Sequence, residues 1–186
     1  MDVRGVSAGL PAEGGWTPPV PAGTTAPTRG WGADVGAHVY VLRFRGGAVG
    51  VGATWLTARG SAAPEAAPGT TAPASGPALR TRVTAMAPQI SINFGHMLGW
   101  SYLSAGLGRT RVRSEVTGPG VLPAALEAEG VKTLNFGGGA RWFLNDHLGV
   151  GFDVRWHKLS LVPASGTHPG APRASLLVAG AGIVLK

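Results

Sequence analysis

The chain of 186 residues carries a net charge of +7, has no cysteine, and is 44% hydrophobic but only 13% charged. The length fits one domain, the missing thiols exclude a disulfide framework and any cysteine-ligated metal, and the charge content is about half that of an ordinary soluble domain. Its 31 glycines and 15 prolines approach a low-complexity composition, but the apolar content is too high for disorder, and the longest apolar run, 176–185, is about half the roughly 20 residues that a membrane-spanning helix needs.

In chain order, a first strand is predicted at 2–10 and a Gly/Pro/Thr/Ala-rich loop at 11–30. Segment 31–59 follows, too long for one strand and broken by Arg45-Gly46-Gly47, so it reads as a hairpin. After a second loop at 60–78, segment 79–116 turns at Gly95-His96-Met97-Leu98; after a third at 117–130, segment 131–161 turns at Asn145-Asp146-His147. A fourth loop at 162–172 leads to a last strand at 173–186. The sum is eight strands in one domain with short turns at one end and long loops at the other, the layout of outer-membrane barrels.

Successive strand residues point to opposite faces, so each segment is tested for one apolar and one polar parity. In 131–161, Leu134, Phe136, Ala140 and Trp142 oppose Thr133, Asn135, Gly137, Gly139 and Arg141; after the turn, Leu148, Val150, Phe152, Val154 and Trp156 oppose Gly149, Gly151, Asp153, Arg155 and His157. A three-residue turn keeps that parity and sets Gly139 against Asp153, Gly137 against Arg155 and Asn135 against His157. Large polar groups then face missing side chains, as the filled lumen of a narrow barrel demands. Arg141 lies diagonal to Asp153, within ion-pair reach. In 31–59, Ala33, Val35, Ala37, Val39 and Val41 oppose Asp34, Gly36, His38 and Tyr40, and Val49, Val51, Ala53 and Trp55 face outward. A three-residue turn there sets Tyr40 against Gly52 and Leu42 against Gly50. In the next hairpin Met86, Ile90, Ile92 and Phe94 oppose Gln89, Ser91 and Asn93, with a bulge expected at Pro88 because proline removes a ladder hydrogen bond. For 100–112 the pattern selects no face.

The polar parity is too rich in Gly, Ser, Thr and Asn for a water-facing surface. Aromatic residues gather in two belts, Phe44, Phe94, Trp100 and Trp142 beside the turns and Trp31, Trp55 and Trp156 towards the loops, as two membrane interfaces select. The apolar parity is therefore expected outside. The segments GWGADVGAHVYVLRF, APQISINFGHMLGWSYLSAGLGR and LNFGGGARWFLNDHLGVGFDVRW resemble bacterial outer-membrane β-barrel domains of the OmpA/OmpX-like type. The third is the most distinctive, with its Gly-rich strand, Arg141-Trp142 pair, Asn-Asp turn and Gly149-x-Gly151. The resemblance implies an all-β fold, an eight-stranded antiparallel up-and-down transmembrane β-barrel in the bacterial outer membrane. Two departures are the ending Ile183-Val184-Leu185-Lys186, where such proteins end in an aromatic residue, and the start Met1-Asp2-Val3-Arg4, which is not that of a signal peptide; a mature or truncated form, or a misplaced start, is the expectation.

The expected lumen network is Asp34, His38, Asn135, Arg141, Asp153, Arg155 and His157. Arg59, Arg80, Arg82, Arg109, Arg111, Arg113, Lys132 and Lys158 fall where strands enter the long loops, a candidate rim for outer-leaflet glycolipid phosphates rather than for nucleic acid. The histidines His38, His96, His147, His157 and His168 are scattered without metal spacing, so no metal or other cofactor is expected. Asp153 with His157 resembles half of an acid–base dyad, but a neutral hydrogen-bonding role in the lumen suits it better; Ser165 with His168 resembles the outer-loop pair of a lipid-modifying barrel enzyme, but its place in a Gly/Pro-rich loop disfavours catalysis. The expected function is non-enzymatic, structural or surface-interacting, by a monomer too narrow for an open pore. The alternatives are that enzyme, and a soluble lipocalin-like barrel enclosing Phe136, Phe152 and Val39 around a hydrophobic ligand.

Overall fold

The computed structural model describes residues 1–20, 24–63, 76–96, 98–166 and 168–186; Met97, the His96 side chain and most of the loop expected at 60–78 lie outside that description. Eight strands follow one another: β1 Asp2–Gly9, β2 Arg29–Phe44, β3 Gly47–Ala62, β4 Ala78–His96, β5 Gly99–Thr117, β6 Ala124–Phe143, β7 Leu148–Leu159 and β8 Ala174–Leu185. Each pairs antiparallel with its sequence neighbour, and β1 closes on β8, Asp2 opposite Val184 and Ser7 opposite Ala179. Closure leaves no sheet edge to be covered. Three expected loops are shorter than their composition suggested: β2 begins at Arg29, β3 runs on to Ala62, and β6 begins at Ala124 within the expected loop 117–130.

The β6–β7 hairpin has the predicted register, with Gly139, Gly137 and Asn135 opposite Asp153, Arg155 and His157. Its turn is held by Asn145, whose Oδ1 accepts from the backbone N–H of His147 at 2.9 Å and of Leu148 at 2.8 Å, the local bond that makes Asn a turn residue. The β2–β3 hairpin corrects the prediction. Its turn has two residues, Arg45 and Gly46, with Gly46 at φ 88°, and the extra residue sits in a β-bulge at Val41. Tyr40 therefore faces Gly50 and His38 faces Gly52, while Leu42 faces Val49. Large still meets small: a Cβ on Gly50 would lie 2.9 Å from the Tyr40 ring.

Pro88 causes no register shift, contrary to the expected bulge. The register on either side is the same, Met86 opposite Arg109 and Gln89 opposite Gly106, and only the pairing at Ala87 and Pro88 is interrupted. The missing N–H is absorbed by that gap. A bulge lies instead between β5 and β6, where Gly130, at φ 63°, and Glu129 oppose Arg111, a left-handed position that glycine adopts at little cost.

Side-chain polarity divides the barrel in two along its axis. In the half beside the tight turns the exterior is apolar, with Val39, Ile90, Leu103, Phe152 and Ile183 exposed, and the interior holds Asp34, Arg141, Asp153 and Arg155, each at most 6% exposed. Val39 at 69% and Phe152 at 44% exposure rule out the lipocalin-like alternative. In the half beside the loops the interior is apolar instead: Leu10, Trp16, Val83, Val112, Val131, Leu159 and Leu176 form one buried cluster, while Arg82, Arg111 and Arg113 on the same strands point outward. The apolar exterior of β4 runs from Phe94 to Met86, which at the usual strand rise and barrel tilt is roughly 20 Å of height, close to the band of outer-membrane barrels.

Candidate functional site: the lumen network and the basic rim

β1 delivers Asp2 and Arg4 to the lumen, and Arg4 is the hub of the polar layer. It donates to Asp34 Oδ1 at 2.6 Å and to the Tyr102 hydroxyl at 3.0 Å, and lies 3.2 Å from Asp2. Thr54 supports the other Asp34 oxygen at 2.7 Å. The Tyr102 hydroxyl donates to Asp153 Oδ2 at 2.7 Å, and Arg155 donates to Asp153 at 3.1 Å and 3.2 Å and to Ser104 at 2.7 Å. Gln89 and Arg155 both donate to Asn135 Oδ1. Arg141 completes the layer by donating to Asp2 at 2.8 Å and to the Tyr40 hydroxyl at 2.7 Å, its guanidinium 4.3 Å from the centre of the Tyr102 ring.

Three arginines thus meet three aspartates across the lumen. Buried charges persist only when paired and hydrogen-bonded, and this set balances without an external ion. The ionic side chains are thereby removed from solvent and link β1, β2, β5, β6 and β7 across the lumen.

Of the predicted lumen residues, Asp34, Asn135, Arg141, Asp153 and Arg155 are in the network. His157 is buried but its Nδ1 has no hydrogen-bond partner, and His38 is half-buried outside the network. Arg141 pairs with Asp2 rather than Asp153, whose oxygens are taken by Tyr102 and Arg155. Sequence reasoning missed Asp2, Arg4, Tyr40, Thr54, Gln89, Tyr102 and Ser104. A signal was present for the first two: Asp2-Val3-Arg4 repeats Asp153-Val154-Arg155, an acid and a base two apart on one face. Trp100, expected in the aromatic belt, is half-buried on the inward parity, its ring 5.8 Å from that of Tyr40.

The eight rim residues are all exposed. Arg59, Arg82 and Arg113 form a row across β3, β4 and β5, with Arg82 between the other two and Trp31 beside Arg59. With Arg80, Ser61 and Glu115 they border a surface cavity of about 780 Å³. Arg109 faces Lys132 across β5 and β6 and donates to the Gly130 carbonyl at 3.0 Å. The rim is partly neutralised, since Arg111 pairs with Glu127 and Glu129, and Arg113 with Glu115 and Glu127. In the loop between β7 and β8, Ser165 and His168 exchange backbone hydrogen bonds, and His168 Nδ1 accepts from the Gly170 N–H at 2.9 Å, which gives that ring a turn-forming role. No grouping of metal-binding side chains occurs among the described residues.

No protein-family description matches the sequence, and no curated protein is similar to it. Solved structures are. Ail, the attachment invasion locus protein of Yersinia pestis, superposes with a TM-score of 0.51 at 10% identity over 98% of this chain and 94% of its own. Its complex with the heparin analogue sucrose octasulfate gives 0.51 at 9% identity over the same shares. Neisserial surface protein A gives 0.51 at 15% identity, over 98% of this chain and 95% of its own. The chain has the fold of these outer-membrane proteins, an eight-stranded antiparallel up-and-down β-barrel.

Proposed function

We propose that the chain is an integral, monomeric barrel of a bacterial outer membrane, with a structural and surface-contact role rather than a catalytic or pore-forming one. The observation that carries this is the reversal of polarity along the strands: beside the tight turns the side chains are sorted for hydrocarbon outside and ions within, and beside the loops for water outside and apolar packing within. Only a barrel half immersed in lipid needs both. A lumen filled by a neutral ionic layer under an apolar plug gives solutes no route.

The partner proposed for the rim is phosphorylated glycolipid of the outer leaflet, held by Arg59, Arg80, Arg82, Arg109, Arg111, Arg113, Lys132 and Lys158 through charge-assisted hydrogen bonds. These residues begin where the apolar exterior stops, beside Trp31. That Ail forms a complex with a sulfated heparin analogue supports a role for this fold in contacting polyanions.

Reconstitution tests both parts. In planar bilayers the protein is expected to insert without conductance steps, and porin-sized steps would refute the plugged lumen. The triple variant Arg59→Gln, Arg82→Gln, Arg113→Gln is expected to lose most of its preference for vesicles containing phosphorylated glycolipid over uncharged ones; an unchanged preference would refute the lipid role of the rim.

A further inference from the structure

At the tight-turn end the lumen opens into a second cavity of about 480 Å³, on the opposite side of the ionic layer from the plug and lined in part by Arg43, Tyr40, Trp100, Arg141, Phe143 and Lys186. Arg43 is there because of the Val41 bulge. Without the extra residue Leu42 would continue the inward parity of Tyr40; with it, Leu42 faces Val49 on the outside and Arg43 faces the inward Ala48. Bulges commonly re-aim a side chain in this way, and this one exchanges a leucine for a guanidinium at the mouth.

The chemistry of the walls is that of an anion site. Asp2, the one acidic side chain of the lining, is engaged through Oδ2 by Arg4 and Arg141, while its Oδ1 is buried without a partner. Arg43 has no ion-pair partner among the described residues, and the Lys186 ammonium rests 5.2 Å from the centre of the Phe143 ring, so both side chains keep a positive charge at the mouth, where the Met1 ammonium also lies, donating to the Leu185 carbonyl at 2.6 Å. Arg141 Nε and Trp100 Nε1, and the acceptor Asp2 Oδ1, are buried in these walls without hydrogen-bond partners. Unsatisfied groups gathered around one cavity are unusual in a folded protein. Tyr40 and Trp100 add half-buried aromatic surface.

We infer that this mouth binds a small phosphate monoester with a planar apolar substituent, the dianionic head at Arg43 and Lys186 over Arg141 and the ring against Trp100 and Tyr40. The two side-chain cations match the charge of a monoester, and guanidinium groups bind phosphate oxygens through paired donors. The site is separate from the basic rim, being at the other end of the barrel.

The experiment is calorimetric titration of the full chain, folded in uncharged detergent micelles, with phenyl phosphate, inorganic phosphate and benzoate. Saturable one-to-one binding is expected, tightest for phenyl phosphate. Arg43→Gln, an exposed position outside the ionic layer, is expected to weaken it at least tenfold, and Lys186→Gln several-fold. Trp100→Leu is expected to remove the advantage of phenyl phosphate over inorganic phosphate, and Arg173→Gln, an exposed arginine just before β8 that belongs to neither site, to change nothing. Absence of saturable binding, equal affinity in Arg43→Gln, or loss in Arg173→Gln with retention in Arg43→Gln would each overturn the assignment.

Discussion

Arg141 on β6 holds Asp2, the first residue of β1, through a 2.8 Å hydrogen bond that spans 139 positions of sequence. The same carboxylate lies 3.2 Å from Arg4, so the start of the chain is bound into the polar layer as well as into the sheet between β2 and β8. Asp2→Asn keeps the shape and removes the charge that two buried guanidiniums share. Loss of one partner of a buried pair costs about 3–5 kcal/mol, and urea unfolding in detergent, followed by tryptophan emission, is expected to show a loss of that order. A loss below about 1 kcal/mol, the scale of an exposed pair, would mean that the layer does not depend on this contact.

The glycines opposite the large lumen side chains are predicted to be intolerant for steric reasons. A Cβ on Gly139 would run into the backbone oxygen of Phe152, whereas a Cβ on Gly5 meets nothing within 4 Å. Gly139→Ala is expected to destabilise the barrel by about 1–3 kcal/mol, the usual cost of overpacking, and Gly5→Ala to stay within about 0.5 kcal/mol, as for most surface changes. Parallel unfolding titrations compare the two.

Ile90 is exposed midway along the apolar exterior of β4. In a membrane, arginine at such a depth costs about 2–4 kcal/mol, while on a water-facing surface the change would be nearly neutral. Ile90→Arg is therefore expected to refold poorly into lipid vesicles and to unfold at lower denaturant concentration once inserted. Equal stability of the two proteins in vesicles would exclude this band from the hydrocarbon.

Trp16 lies in the loop between β1 and β2, yet it is 1% exposed and its indole donates to the Pro172 carbonyl at 3.1 Å. Trp16→Ala removes the largest side chain of the apolar plug, a change that commonly costs about 3–5 kcal/mol. Limited proteolysis is expected to reach the loop between β1 and β2 faster in the variant, while bilayer conductance stays absent because the ionic layer below is intact.

How much of this was legible in the sequence depended on which half of the barrel a residue occupies. The β6–β7 hairpin could be read through its turn because Leu134 to Trp156 lies in the zone where apolar side chains face out. β5 could not, since it crosses the change of zone: Leu103 and Leu107 point outward, Val112 and Val116 inward. A single parity test averages the two into no pattern. The β2–β3 register failed for a different reason, because a two-residue turn with a bulge and a three-residue turn without one leave the same parity facing inward while shifting the partner of Tyr40 by two residues, and nothing in Val39-Tyr40-Val41 marks the bulge. Within the site, the acidic and basic residues on β6 and β7 were visible by alternation, but Arg4 and Tyr102 became functional only through closure of β1 on β8 and the facing of β5, which are properties of the whole ring.

The strands differ in length, with 19, 19 and 20 residues in β4, β5 and β6 against 8, 12 and 12 in β1, β7 and β8. The cylinder is thus cut obliquely, with a tall parapet on one flank and a low sill on the other, over which the Trp16 loop folds. Under the membrane placement proposed above, a glycan or a neighbouring cell surface would meet the parapet first, so the molecule would have a front and a back in the plane of the membrane, and its compass heading relative to its neighbours there becomes a property worth measuring.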